Sequence, residues 1–86
     1  MRRAAKVDQN QEAIVEALRA SGWLVHSTAR LGAGFPDIVA YKASSGVRLI
    51  EIKHPRCGLG IAQIRFQLHG WPVSVIRTID EALALR

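Results

Sequence analysis

One cysteine, three prolines, two phenylalanines, two tryptophans and one tyrosine among 86 residues leave several protein classes without the material they need. Cys57 has no partner for an internal disulfide, and no Cys/His spacing suits zinc, because His26, His54 and His69 are scattered singly. A single cysteine fits a reducing compartment, and a cytoplasm is the expected location. No apolar run is long enough to span a bilayer. The basic opening Met1 to Lys6 leads into an amphipathic helix and not into a signal-peptide core, so no membrane partner is expected. Internal repeats, low-complexity tracts and linkers are missing as well. The length bounds a single domain, residues 1–86.

Nearly half of the residues are apolar (49%), enough for a packed globule and too many for a disordered chain. The formal net charge of +5 favours polyanions, nucleic acid first. Charge alone leaves a generally basic, soluble domain as an equal alternative.

The pattern predicts an α/β domain in the order helix, three strands, helix, strand, helix, with a mixed sheet flanked by helices. Asp8 is a good N-cap with Gln11 three residues on, and Ile14, Val15, Ala17 and Leu18 recur at helical spacing before Gly22. This predicts a helix over about 9–20. Gln11 shares the stripe of Ile14 and Leu18, Asp8 and Glu12 border it, and Glu16 points away. Strands are predicted at 23–26, 37–41, 47–53 and 72–76, with a glycine-rich loop at 30–36 and a turn at 44–46. Helices are predicted over 59–69 and after Thr78, which has Glu81 three residues on.

The third strand is apolar up to Ile50 and then presents Glu51 and Lys53 on one face, with Ile52 turned to the other. A short turn joins it to the second strand, so an antiparallel hairpin follows. Pairing Tyr41 with Val47 places Asp37 directly opposite Glu51, with Cβ atoms roughly 5 Å apart. Two facing carboxylates repel each other. Lys53 offers one compensating charge, and a divalent cation would offset the repulsion better, since hard oxygen donors suit Mg²⁺ or Mn²⁺. Such an ion polarises a phosphate and lowers the pKa of a bound water. Lys53 could orient that water or stabilise developing charge, and the Ile52 carbonyl could complete the metal shell. Alternatively the three are an ordinary ion-pair cluster.

Gly34-Phe-Pro-Asp37 followed by Leu49-Ile-Glu-Ile-Lys53-His-Pro resembles the Pro-Asp…(Asp/Glu)-x-Lys signature of restriction-endonuclease-like nucleases. Within that superfamily the chain resembles the VRR-NUC (virus-type replication-repair nuclease) family. Leu59-Gly-Ile-Ala-Gln63 is similar to its glutamine-bearing helix, and Val73 to Leu83 to its closing strand and helix, so the likeness runs from about Val7 onward. The resemblance implies a restriction-endonuclease-like core. It also implies Asp37 and Glu51 as metal ligands, Lys53 as catalytic and Gln63 as supporting. A further acid on the first helix is implied, for which Asp8 is the candidate and Glu12 the second choice, with Gln11 beside them. It implies a homodimer acting on branched DNA, Holliday junctions above all, without a small-molecule cofactor. A phage-like origin is the associated expectation.

Arg2, Arg3, Lys6, Arg30, His54, Arg56 and Arg65 are candidate DNA contacts. The glycines at 32 and 34 precede a strand, which excludes a dinucleotide-binding turn and leaves closeness to DNA or a tight turn. Ile61, Phe66, Trp71 and Leu85 could serve a subunit interface or the core. The leading expectation is therefore a Mg²⁺- or Mn²⁺-dependent structure-selective endonuclease. The runner-up is a non-catalytic basic DNA-binding module or repair-complex subunit, and the third a nuclease of this fold acting on linear duplex DNA or RNA.

Overall fold

The computed structural model describes the backbone from Arg3 and the side chains from Asn10, both to Arg86. The described residues form α1 (Arg3–Ala20), β1 (Leu24–Ser27), β2 (Ile38–Lys42), β3 (Gly46–Ile52), α2 (Ile61–Leu68), β4 (Val73–Ile76) and α3 (Ile79–Ala84). This is the expected order. None of the described helices is long and apolar enough to cross a membrane.

The first helix starts earlier than the sequence pattern suggests. Asp8 is therefore inside α1 and is not its N-cap. Arg3, Ala4, Ala5 and Lys6 are strong helix formers, and their propensity carries the helix upstream of the apolar stripe. At the other end the chain closes in a Schellman turn. Gly22, at φ +99°, donates to the Arg19 carbonyl, and Trp23 donates to that of Leu18. This turn takes Trp23 out of β1 and drops its ring into the core, where Lys42 and Arg48 lie over it at 5.2 and 5.9 Å.

The four strands lie in sequence order in one sheet, β1-β2-β3 antiparallel and β3-β4 parallel. Parallel pairing needs a crossover, and α2 supplies it. Tyr41 pairs with Val47 and Ile38 with Ile50, the register expected from the turn. Paired residues share a face, so the sheet sorts its side chains cleanly. One face carries Ile38, Ala40, Ile50, Ile52 and Ile76, which pack with Ile14, Ala17 and Leu18 of α1 and Ala82 of α3 as the core. The other face carries Asp37, Val39, Tyr41, Val47, Leu49, Glu51 and Lys53, and α2 lies against its acidic end.

Candidate active site

Asp37 sits one residue before β2, opposite Glu51 by continuation of the β2–β3 register. Three local devices hold it there. The Thr28 N–H donates to the Asp37 carbonyl at 2.8 Å, and the Thr28 hydroxyl donates to that of Pro36 at 2.7 Å. The Asp37 Oδ2 accepts the Ile52 N–H at 2.8 Å. In a continued ladder Ile52 would exchange both backbone bonds with residue 36. Residue 36 is proline, which has no N–H to give the Ile52 carbonyl. The Pro-Asp pair thus ends the hairpin. The aspartate side chain replaces one ladder bond, and the Ile52 carbonyl is left without its ladder donor beside two carboxyl groups.

Glu51 is a charged-type side chain in a buried position, 3% exposed. Its Oε2 accepts the Gln63 amide at 2.6 Å, and Lys53 Nζ stands 3.7 Å away. Its Oε1 is buried and has no hydrogen-bond partner. Desolvation by burial, and after it the negative charge of Asp37, raise the Glu51 pKa from 4.5 to about 7, with the Lys53 ammonium acting in the opposite direction. The pair can be relieved in two ways. A proton on Glu51 lets it donate to Asp37, or a cation sits between the two acids.

Gln63 is fixed from both ends of its amide. Its Oε1 accepts the Gly60 N–H at 2.7 Å, as the third residue of a helix does when it reaches back to the cap. That leaves its NH₂ group to donate to Glu51. The glycine loop brings α2 close enough. A Cβ at Gly34, where φ is +83°, would lie 2.3 Å from the Ala62 carbonyl oxygen. The requirement for glycine at 34 therefore comes from the backbone of α2.

The remaining candidates divide. Arg30, His54, Arg56 and Arg65 are exposed on segments that flank the acids. Gln11 is half-buried and Glu12 exposed. They border a groove of about 380 Å³ between α1 and the sheet, whose floor includes Val25, Ser27 and Ile38. Neither bonds Asp37, Glu51 or Lys53 among the described residues. Glu16 is exposed and points away from the Ile14–Leu18 stripe, as expected, at the rim of this same groove. The side chains of Arg2, Arg3, Lys6 and Asp8 lie outside the described residues. Asn10 was not a sequence candidate, yet its Nδ2 donates to the Lys53 carbonyl at 3.4 Å and ties α1 to the site. No periodicity marks it.

The described residues contain no cluster of three or more His, Cys, Asp or Glu side chains. A metal would have two carboxylates and a carbonyl. That donor set suits a hard ion that retains waters, and the partnerless buried Oε1 of Glu51 fits one.

A solved structure of a VRR_NUC domain matches this chain with a TM-score of 0.67 over 87% of both chains, at 22% sequence identity. The fold is that of a VRR_NUC domain. The match agrees with the restriction-endonuclease-like fold expected from Pro36-Asp37 and Glu51-x-Lys53. No family model and no curated protein matches the sequence. At this identity the likeness carries the fold, and the chemistry has to be argued from the residues.

Proposed function

We propose that the protein is a Mg²⁺- or Mn²⁺-dependent structure-selective endodeoxyribonuclease that hydrolyses phosphodiester bonds in branched DNA, Holliday junctions included, as a homodimer. One observation carries this reading. Asp37 and Glu51 stand in cross-strand register with Lys53 and Gln63 on Glu51, and one buried Glu51 oxygen has no partner. Asp37, Glu51 and the Ile52 carbonyl would hold the ion. When bound, it would polarise the scissile phosphate and lower the pKa of a coordinated water. Gln63 keeps Glu51 in one rotamer, with its free oxygen available. Lys53, whose Nζ stands 3.7 Å from Glu51 Oε2, would stabilise the negative charge that grows on the phosphoryl oxygens. Arg30, His54, Arg56 and Arg65 would hold the DNA backbone, in keeping with the +5 net charge. Resolving a junction needs two cuts, and a two-fold dimer supplies two sites.

The test incubates labelled four-way junction, flap, duplex and single-stranded DNA with Mg²⁺ or Mn²⁺ and either the wild type or Lys53→Ala. Cleavage that is lost in the variant while binding persists is the expected result. Binding without cleavage by the wild type in either metal would reduce the protein to a DNA-binding module.

A further inference from the structure

The helix α2 docks through Gln63 and Phe66 and turns its aliphatic stripe outward. Ile61, Ile64 and Leu68 fall on one stripe and point to solvent, Leu68 with 79% of its surface exposed, while Gln63 and Phe66 are half-buried. Burying the aliphatic stripe would ordinarily be the driving force for docking such a helix. Beside it the sheet shows a second anomaly on the same face. Leu24 pairs with Tyr41 and Tyr41 with Val47, so the three form a row across β1, β2 and β3, with Leu24 70% and Val47 64% exposed. Counting back from the Leu49–Val73 pair brings Trp71 level with Val47, and Trp71 stacks on Phe66 of α2 at 5.3 Å, with about half of its surface open. The row is four residues along β2 from Asp37, roughly 13 Å at the strand rise.

We infer that the step formed by the Leu24–Tyr41–Val47 floor and the Ile64–Leu68–Trp71 wall is the surface on which a second copy of this chain docks. With Ile61, these side chains expose on the order of 800 Å², close to the ~800 Å² per partner of a standard protein–protein interface. None of them is charged, whereas at the acidic end Lys53 stands 3.7 Å from Glu51. Lack of charge with aromatic content suits the buried centre of a protein interface and not a phosphate backbone. A floor beside a raised helix is also self-complementary: the α2 of each copy can rest on the sheet of the other, as a two-fold requires. The inference deepens the homodimer proposed above by giving it a surface, but its geometry does not depend on nuclease activity.

Sedimentation equilibrium of the full chain tests it. The wild type should be a dimer at micromolar concentration. Val47→Asp combined with Leu68→Glu should raise the dissociation constant by about 100-fold or more. Leu83→Asp should stay dimeric, because Leu83 is as exposed but sits on α3 across the sheet. Tyr41→Glu is the second interface variant should the double variant not fold, and near-ultraviolet circular dichroism of the buried Trp23 reports folding in each. A wild type that is monomeric at 100-fold higher concentration overturns the proposal, and so does a folded interface variant that remains a dimer. If the wild type is monomeric and Trp71→Ala loses only affinity for DNA with unpaired bases, the surface belongs to nucleobase stacking instead. A dimer that cuts no DNA leaves the surface standing and removes the nuclease. Interface variants that nick junctions without paired cuts leave both standing.

Discussion

The carboxylate of Asp37 takes the backbone N–H of Ile52 at 2.8 Å, so one side chain both ends the β2–β3 ladder and faces Glu51. These two roles separate under substitution. Asp37→Asn keeps an acceptor for the N–H, whereas Asp37→Ala leaves a partly buried donor unpaired. The alanine variant should lose about 1–3 kcal/mol of stability and the asparagine variant less than half of that, by urea unfolding. Both should lose cleavage. Equal stabilities would show that the hydrogen bond does not hold the hairpin end.

Glu51 makes stability fall as pH rises. Its folded-state pKa is about 7 against 4.5 for the ordinary group, so the native state binds the extra proton. The stabilisation is complete below about pH 4.5 and is lost as pH climbs through 7, a change of about 3 kcal/mol by proton linkage. In EDTA, urea unfolding at pH 5 and pH 8 should show that drop for the wild type and not for Glu51→Gln. Glutamine stays neutral, can still accept from Gln63 and can donate to Asp37. It should be the more stable protein at pH 8. A wild type as stable at pH 8 as at pH 5 would mean that Glu51 is not desolvated as described.

The same proton competes with a cation. Below about pH 7 a metal must displace it, so affinity should fall about tenfold for each pH unit removed. Above pH 7 it should level off. Calorimetric titration with Mn²⁺ from pH 5.5 to 8 measures the slope. Affinity independent of pH across that range would place the ion away from Glu51.

The hairpin register was legible because two signals agree in it. The short Ser44-Ser45-Gly46 turn and the apolar run to Ile50 suit an antiparallel hairpin with Tyr41 against Val47, and the acids follow by counting. The structure match supports the fold that this implied. The start of α1 was not legible, because the apolar stripe marks where a helix packs and not where its propensity begins. Asn10 was not legible either: its contact with the Lys53 carbonyl spans 43 residues, and only the tertiary approach of α1 to β3 makes it. The outward aliphatic stripe of α2 was visible as apolar residues, but sequence periodicity cannot tell a core face from an interface face.

Gly34 offers the sharpest local test, because Gly32 is its internal control. Both have positive φ, +65° at Gly32 and +83° at Gly34. A Cβ at Gly32 meets nothing within 4 Å, so Gly32→Ala carries only the backbone strain of φ +65° with ψ −160°, a region almost confined to glycine, about 1–3 kcal/mol. A Cβ at Gly34 would lie 2.3 Å from the Ala62 carbonyl oxygen, and backbone atoms cannot swing aside as the end of a lysine can. Either the loop or α2 must move. Gly34→Ala should therefore cost about 2–4 kcal/mol, at least 1 kcal/mol more than Gly32→Ala. Moving α2 also moves Gln63 away from Glu51 Oε2, where it now stands at 2.6 Å. Under conditions where both variants are folded, Gly34→Ala should lose cleavage by 10-fold or more while Gly32→Ala retains it. Equal stability and equal activity in the two variants would show that the loop does not set the position of α2.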